Sequence, residues 1–381
     1  MDFSITEEQK MFQAMVRDFA KKELEPVAAR IDEAEEFPWE SYRKLAELGL
    51  PGLTIAEEYG GCGGDSIQLV IAIEETAHAC AATSVIWGAG LSLGTSSIYR
   101  FGNEEQKRRF VPPLARGEKI ACFGLTEPGA GSDAAALETT ATRQGEGYVL
   151  NGTKLFITNG AEAGTAVIFA TIDKALKHRG VTAFIVEKGT PGFSVGKVER
   201  KLGIRASSTA ELLLDNCRVP ASQRLGEEGQ GLRLAMQIID ASRIVIAAQA
   251  VGIAQAALDA SLAFAQQRQQ FGQPISNFQA IQFMLADMAT ETDAARLLTY
   301  RAAYMKDQKV PFVKEAAMAK VFASEVAMKV TTKAIQVHGG YGYIKDYPVE
   351  RFFRDAKITE IYEGTSEMQR WTIARQLLEQ K

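Results

Sequence analysis

One carboxylate near the end of the chain stands where a catalytic base could be held. Glu363 precedes Gly364 within the segment Ile361-Tyr-Glu-Gly-Thr-Ser-Glu-Met-Gln-Arg370. Ser366 and Gln369 have the spacing of a capping box, which predicts that a helix begins just after the glycine. Glu363 would then lie at the tip of a loop, where a glycine lets the backbone pass close to a ligand.

Spacing alone does not assign a role to this glutamate. A carboxylate ahead of a helix N-terminus is usually only a favourable partner of the helix dipole. Glu360 and Glu367 lie close to Glu363 and can also accept a proton. The residues themselves therefore leave the base open among three carboxylates.

A second candidate for chemistry is the loop Phe123-Gly-Leu-Thr-Glu-Pro-Gly-Ala-Gly-Ser-Asp133. It lacks the GxGxxG and GxxxxGK[ST] patterns, so neither a Rossmann dinucleotide site nor an ATP site is indicated. The backbone amides of such a loop suit the polar edge of a flavin and a pyrophosphate. The simpler alternative is a glycine-rich connection between two domains.

Length and composition limit the class of protein. A chain of 381 residues predicts two or three domains with ample buried core. The formal charge of −4 and the pI near 5.7 argue against a nucleic-acid-binding protein. The longest apolar runs, such as Ile244 to Ile253, are far shorter than the roughly 20 residues that a bilayer requires, so no membrane span is predicted.

The cysteines and histidines predict no metal site. The four cysteines are dispersed without CxxC spacing, and the chain has three histidines in all. No export signal is visible at the N-terminus. We therefore expect a cytoplasmic protein whose reduced cysteines are core residues; these are Cys62, Cys80, Cys122 and Cys217.

Hydrophobic periodicity divides the chain into three regions. A helical pattern begins at Thr6, with Gln9 completing a possible capping box, and continues to about residue 118. Short β-rich runs follow, and long alanine-rich helical segments return from Gly231. This order predicts an α+β protein with a helical domain over 1–120, a β domain over 121–230 and a second helical domain over 231–381.

Five segments together resemble the motifs of the acyl-CoA dehydrogenases, flavoenzymes that remove two hydrogens from the α and β carbons of an acyl-CoA thioester. They occur in family order, and the resemblance covers nearly the whole chain. The sequences of residues 201–209 and 356–363 are nearly those of the short-chain, butyryl-type members. The five segments are Tyr362-Glu-Gly-Thr365, the loop 123–133, Phe156-Ile-Thr158, Arg268-Gln-Gln-Phe-Gly272 and Gln336-Val-His-Gly-Gly340.

The resemblance implies a fold and an assembly. The family has an N-terminal all-α domain, a middle antiparallel β-barrel and a C-terminal four-helix bundle that carries the base. The segment 336–340 reaches the FAD of a neighbouring subunit in the family, which implies a homotetramer built as a dimer of dimers.

The resemblance also implies a mechanism in which Glu363 removes the α-proton and flavin N5 takes the β-hydride, giving a trans-2-enoyl-CoA. The Glu363 backbone N–H and a ribityl hydroxyl of FAD would hold the thioester carbonyl. A few relatives carry their base at the position of Ser242, and a serine there cannot remove the proton. The electrons would pass to an electron-transferring flavoprotein.

The family's FAD contacts fall on matching positions of this chain. Leu125, Thr126 and Thr158 would contact the isoalloxazine, and Arg268 would pair with phosphate oxygens unless it is only a solvated cation at a helix end. The family more often has tryptophan at Phe156. His338 is expected to be a structural hydrogen-bond donor. The implied contacts are Phe123, Leu125, Thr126, Gly131, Ser132, Phe156, Ile157, Thr158, Arg268, Phe271, Gln279, Gln336, Val337, Gly339, Gly340, Thr365 and Glu367.

The implied contacts to acyl-CoA leave the chain length open. Trp87 falls where relatives place residues that touch the acyl tail, and a tryptophan there would restrict the pocket to short chains. In the alternative, Trp87 points into the helical core. The implied substrate contacts are Ser132, Asp240, Ser242, Arg243, Gly364 and Trp87.

Three other functions compete with an acyl-CoA dehydrogenase. Acyl-CoA oxidases share the fold but are usually longer, with an extra C-terminal domain. A non-catalytic flavin-binding relative would need a basic surface or an added module, which the acidic balance of charge does not favour. An enoyl-CoA reductase that works in an anaerobic electron-transfer complex would use the same residues in the reverse direction.

Overall fold

The first part of the fold is helical. The computed structural model describes residues 5–379, and the predicted capping box at Thr6 and Gln9 is confirmed at the start of the first helix. The chain continues through a π-helical turn between the fifth and sixth helices, at Gly90–Thr95. The helices are α1 (Glu7–Phe19), α2 (Glu25–Ala34), α3 (Trp39–Glu47), α4 (Ser66–Ala79), α5 (Ala81–Ala89), α6 (Ser96–Phe101) and α7 (Glu104–Ala115).

The middle of the chain forms a mixed β-sheet. Its hydrogen-bonded order is β6-β7-β3-β2-β4-β5-β8, and β1 lies parallel to β4. The strands are β1 (Ala121–Gly124), β2 (Thr140–Gln144), β3 (Gly147–Thr158), β4 (Thr165–Thr171), β5 (Val181–Glu187), β6 (Phe193–Val198), β7 (Thr209–Pro220) and β8 (Arg224–Leu225).

The structure does not show the closed antiparallel β-barrel that the family resemblance implied. Within residues 5–379 the order of paired strands ends at β6 on one side and at β8 on the other, so the sheet is open. β8 is only two residues long and offers little backbone for a closing ladder. The parallel pairing of β1 with β4 also makes the sheet mixed rather than antiparallel.

Helices return after the sheet and carry the last candidate residues. A two-stranded hairpin of β9 (Gln269–Gln270) and β10 (Gln273–Pro274) separates the first two of these helices. The helix α8 packs against α4 as well as against α9 and α10, so the two helical regions share one core. The helices are α8 (Gly231–Gln267), α9 (Gln279–Asp307), α10 (Val313–His338), α11 (Val349–Lys357) and α12 (Ser366–Leu378).

The helix α8 is long and apolar enough to cross a membrane by length and composition alone. However, 83% of its most apolar window is buried inside the folded chain. Its central residues belong to the core shared with α4, α9 and α10. Packing at the centre of the fold therefore accounts for the composition of α8, and the helix is weak support for a membrane span.

A cluster of charged residues connects the three regions close to the Glu363 segment. The Asp355 carboxylate accepts a hydrogen bond of 2.6 Å from the backbone N–H of Ile204, which lies in the loop between β6 and β7. Arg354 donates to Asp32 at 2.8 Å and to Glu350 at 2.7 Å. These bonds tie the chain just before the candidate base to both other regions.

Candidate active site

Glu363 lies in a tight turn between a short 3-10 turn (Ile358–Glu360) and α12. The predicted helix start is correct, but the N-cap is Thr365 rather than Ser366. The Thr365 hydroxyl accepts from the backbone N–H of Met368 at 3.4 Å. Gln369 does not complete a capping box, because its side-chain amide donates instead to the carbonyls of the Glu363 turn.

Two consecutive residues of the turn have left-handed backbone conformations. Gly364 has φ of 94° and Glu363 has φ of 53°. A glycine adopts this region freely, whereas a glutamate there costs of order 1 to 3 kcal/mol unless the surroundings hold it. The conformation of Glu363 is therefore imposed by its neighbours.

Two buried side chains supply this restraint, and the sequence analysis identified neither as a candidate for the site. The Lys320 ammonium on α10 donates to the Gly364 carbonyl at 2.8 Å, and the Gln369 amide donates to the same oxygen at 2.8 Å. Both side chains are completely buried. A lone lysine among Ala316, Ala317, Ala319 and Ala323 was the available signal, because the other positions of this stretch predict a buried face.

The structure brings the predicted substrate residues Asp240, Ser242, Arg243 and Gly364 together around Glu363. Burial raises the pKa of Glu363 to about 7, although the Ser242 hydroxyl and the charges of Lys320 and Arg243 act in the opposite direction. The Arg243 guanidinium, itself buried, is paired with Asp240 at 2.6 Å. A carboxyl group with a pKa near neutrality is suited to take up a proton at physiological pH.

The other two carboxylates differ from Glu363 in their surroundings. Glu360 forms an ion pair with Lys357 at 2.6 Å. Glu367 is exposed in the first turn of α12, where hydrogen bonds to the backbone and to Thr365 lower its pKa. Among the three, only Glu363 has a buried carboxyl oxygen, Oε2, that has no hydrogen-bond partner in the described residues.

Further side chains behind the turn link it to the helical core. The Tyr362 hydroxyl donates to the Gln249 side-chain oxygen, and the Gln249 amide donates to the Ala81 carbonyl at 3.1 Å. The hydroxyls of Ser92 and Ser242 lie 2.9 Å apart. Gln249 and Ser92 were not predicted, because their proximity to Glu363 depends on how α5 and the following π-helical turn pack against α8.

The glycine-rich loop is pinned to β3 by a buried ion pair. The Lys154 ammonium lies 2.5 Å from the Glu127 carboxylate and donates to the Leu125 carbonyl at 3.3 Å. The Leu155 backbone N–H donates to the Thr126 carbonyl at 2.8 Å. The loop is open at Gly131, where an added side chain would meet no atom within 4 Å.

A bulge in β3 turns an aromatic ring outward. The pairing of β3 with β7 shifts register between Lys154 and Ile157, and Phe156 has φ of 58°. As a result Phe156 is 59% exposed, while Ile157 is buried and Thr158 is partly buried. Phe123 is also partly buried, and Ser132 is exposed at the end of the glycine-rich loop.

A second group of predicted FAD contacts surrounds a pocket of about 540 Å³. Arg268, Val337, Gly339 and Gly340 line it, and the Arg268 guanidinium lies 5.1 Å from the centre of the Tyr341 ring. The remaining predicted contacts of this group lie nearby in the chain but do not line the pocket; they are Phe271, Gln279 and Gln336. Phe271 is 92% exposed at the tip of the β9–β10 hairpin.

His338 has the surroundings of a structural residue. Its ring is buried, stacks on Phe264 with centroids 4.3 Å apart, and hydrogen-bonds the Ala334 carbonyl at 2.8 Å through Nδ1. Burial lowers its pKa, which favours the neutral imidazole.

Trp87 is buried in the helical interior. Its indole N–H donates to the Thr76 hydroxyl at 3.3 Å, which joins α5 to α4. The nearby pocket of about 290 Å³ is lined by Ser92, Ala241 and Val245 among others, but not by Trp87. This placement favours the alternative in which Trp87 is a core residue.

The comparisons with known proteins agree with this geometry. The acyl-CoA dehydrogenase N-terminal, middle and C-terminal domains match residues 6–118, 122–217 and 229–378. The chain belongs to the acyl-CoA dehydrogenase family. The family prediction is therefore confirmed, with its three-domain architecture of helical first and last domains and a middle β domain, and with FAD as the cofactor.

Individual relatives match this family member over nearly its whole length. A short-chain specific acyl-CoA dehydrogenase of Clostridium acetobutylicum is 52% identical over 98% of the chain and 99% of the relative. An acryloyl-CoA reductase (NADH) of Anaerotignum propionicum is 52% identical over 99% of the chain and 96% of the relative. A chain solved in a study of the electron transferring flavoprotein of Acidaminococcus fermentans is 49% identical, with a TM-score of 0.98 and full coverage of both chains.

Proposed function

We propose that this protein catalyses the FAD-dependent α,β-dehydrogenation of a short-chain acyl-CoA to a trans-2-enoyl-CoA, with Glu363 as the base. The single observation that carries the proposal is the Glu363 carboxyl, held in a left-handed turn among Ser242, Arg243 and Lys320 with its pKa raised to about 7. The name of the Clostridium relative supports the short-chain substrate.

The residues around the two open regions fit FAD. The exposed ring of Phe156 offers an apolar face for an isoalloxazine ring. The nearby backbone of Leu125 and Thr126, which is hydrogen-bonded to β3, offers polar groups for its edge. The pocket at Arg268, Gly339 and Gly340 offers a cation and open backbone for phosphates. The remaining FAD contacts that the family resemblance implies are assigned to this chain on that resemblance.

Glu363 performs the proton transfer. Its Oε2 atom is buried and has no hydrogen-bond partner among the described residues, so it can accept the α-proton of a thioester placed against it. When bound, FAD supplies the acceptor for the β-hydride. Glu363 in its protonated form then keeps the proton until the product leaves.

The backbone of the same turn stabilises the enolate-like charge on the thioester carbonyl. Within residues 5–379 the Glu363 N–H makes no hydrogen bond to another backbone group, whereas the carbonyls of Glu363 and Gly364 are occupied by Gln369 and Lys320. A preorganised N–H donor lowers the barrier of such reactions by a few kcal/mol.

The direction of the reaction depends on the electron partner. We assign an electron-transferring flavoprotein as the acceptor and a role in fatty-acid β-oxidation, supported by the likeness to the Acidaminococcus chain. The name of the Anaerotignum relative supports the second candidate, reduction of an enoyl-CoA by the same residues.

The exposed apolar side chains of the C-terminal helices support a homotetramer. Large apolar side chains exposed on helices that pack together are candidates for burial between subunits. The exposed side chains are Phe283, Leu297, Tyr304, Phe322, Trp371, Leu377 and Leu378.

We assign the protein a cytoplasmic location. We also assign three domains, over 1–120, 121–230 and 231–381, the last of them a four-helix bundle.

Anaerobic titration of the purified flavoprotein with acyl-CoAs of graded length tests the proposal. We expect butyryl-CoA or hexanoyl-CoA to bleach the flavin, and octadecanoyl-CoA to do so poorly. Rapid oxygen consumption during turnover would point to an oxidase instead. A flavin that no acyl-CoA bleaches, in a protein that retains FAD, would refute dehydrogenation.

A further inference from the structure

The turn that carries Glu363 has one charged support. The Lys320 side chain extends from the third turn of α10 and is completely buried. Its Nζ atom donates a hydrogen bond of 2.8 Å to the Gly364 carbonyl oxygen. Burying an ammonium group costs free energy, because the group loses its hydration. The position of this cation against the backbone of the base therefore needs an explanation.

The charged groups that act on Lys320 belong to the Glu363 turn and its neighbours in the candidate site. The pKa of Lys320 is lowered to about 8, chiefly by burial; Arg243 acts in the same direction, and Glu363, Glu360 and Glu367 act against it. Asp240 neutralises Arg243 through their ion pair. Lys320 thus remains the cation that is bound directly to the turn.

Gln369 provides the second support and shows what Lys320 adds. Its amide donates to the Gly364 carbonyl at 2.8 Å and to the Glu363 carbonyl at 3.2 Å, so the turn has a neutral donor in addition to the cation. A neutral donor would hold the backbone equally well. The charge of Lys320 acts in addition on the nearby Glu363 carboxylate, which it favours over the neutral acid.

We propose that Lys320 is a positioning residue for the base, holding the Glu363–Gly364 turn through the Gly364 carbonyl while its charge favours the ionised Glu363 carboxylate. This inference rests on the proposed role of Glu363. Lys320 itself need not touch the substrate, because it acts through the backbone and through the electrostatic field at Glu363.

The test compares Lys320→Met, which removes the donor and the charge, with Lys320→Gln, which keeps a donor alone. Lys329→Met is the matched control, since Lys329 lies on the same helix but its side chain is half exposed and paired with Glu291. For each FAD-loaded protein, the rate of anaerobic flavin reduction by butyryl-CoA is followed from pH 6 to 9. Amide exchange of the segment 358–368 is followed by mass spectrometry.

We expect Lys320→Met to slow flavin reduction about tenfold to a hundredfold at neutral pH and to move the acid limb of the rate profile to higher pH. Amide exchange of the segment should become faster. In Lys320→Gln, amide exchange of the segment should be slow again, but the acid limb of the rate profile should stay at the higher pH. Lys329→Met should match the unaltered protein in both measurements.

A Lys320→Gln protein that retains FAD but has an unshifted acid limb would overturn the electrostatic role. Unchanged amide exchange in Lys320→Met would overturn the positioning role. If Lys320→Met fails to fold, Lys320→Gln still decides the electrostatic role, and Lys320→Leu, which also removes the donor, takes its place in the exchange measurement. If the unaltered protein is not reduced by any acyl-CoA, the proposed function fails separately, and the exchange measurement still tests whether Lys320 holds the turn.

Discussion

The Lys154 ammonium lies 2.5 Å from the Glu127 carboxylate, and the lysine side chain is completely buried. Lys154 also donates to the Leu125 carbonyl, and Glu127 accepts from the backbone N–H groups of Glu138 and Thr139. The pair therefore joins β3 to the glycine-rich loop and to the chain just before β2. Burial lowers the pKa of Lys154 to about 8, and the carboxylate acts against this shift.

Replacing Lys154 by methionine should destabilise the protein by about 3 to 5 kcal/mol, because Glu127 is left as an unpaired buried charge. The free energy of unfolding in urea measures this loss. The double variant Lys154→Met with Glu127→Gln should recover part of the stability. Equal stability of the single and double variants would show that the charge on Glu127 does not cause the loss.

The same variants should separate stability from flavin binding. The double variant leaves no unpaired charge at this pair but lacks the cation that holds the Leu125 carbonyl. We therefore expect it to bind FAD more weakly than the unaltered protein even where both are fully folded. Titration of the apoprotein with FAD, followed by flavin fluorescence, provides the measurement, and equal affinities would contradict a role for the pair in shaping the loop.

Replacing Glu363 by glutamine should lower the rate of flavin reduction by about four orders of magnitude, because the amide cannot take the α-proton. Bound FAD and acyl-CoA affinity should be retained. Glu360→Gln is the matched control, since Glu360 is paired with Lys357 and should be dispensable for proton transfer. Substantial residual reduction in Glu363→Gln would move the role of the base to another residue.

Some features of the Glu363 turn can be predicted from the sequence, and others cannot. The glycine and the following helix are predicted from local pattern, and the N-cap is missed by one residue because Ser366 and Thr365 are both good capping residues. Lys320 lies 44 positions before Gly364, whose carbonyl it binds, and no local rule places it there. Only the packing of α10 against the turn brings the two together.

The sheet shows a second limit. Alternating apolar residues and turn signals identify the β region, but strand pairing and closure depend on contacts between distant segments. The parallel pairing of Ala121–Gly124 with Thr165–Ile168 has no signature in either segment. For the same reason Phe156 could be predicted as a strand residue, whereas the bulge that exposes its ring could not.

The rate of flavin reduction by acyl-CoA should rise with pH through about 7. Burial raises the pKa of Glu363 to about 7, so its reactive carboxylate is depleted below that pH and predominates above it. Stopped-flow measurements under anaerobic conditions give the profile directly. A profile that is flat between pH 6 and pH 8 would show that the ionisation of Glu363 does not limit the reaction.

Arg268→Ala should weaken FAD retention and loosen the proposed homotetramer together. The proposed site for the FAD phosphates includes Arg268, Gly339 and Gly340, and in the family this region serves a neighbouring subunit. A cofactor that binds only the assembled form stabilises assembly by linkage. Sedimentation velocity with absorbance at the flavin wavelength measures both properties. A stable monomer with full flavin content would contradict the coupling.

Trp87→Phe should leave the acyl-chain preference unchanged, because the structure places Trp87 in a hydrogen bond to Thr76 inside the helical core. The cost should appear in stability, where loss of the bond and some packing amounts to about 1 to 3 kcal/mol. The ratio of kcat/KM for butyryl-CoA and octanoyl-CoA measures the preference, and thermal unfolding measures stability. Thr76→Val is the matched control, since it removes the same bond while Trp87 remains. If Trp87→Phe shifts the preference toward octanoyl-CoA and Thr76→Val does not, then Trp87 limits the acyl pocket after all.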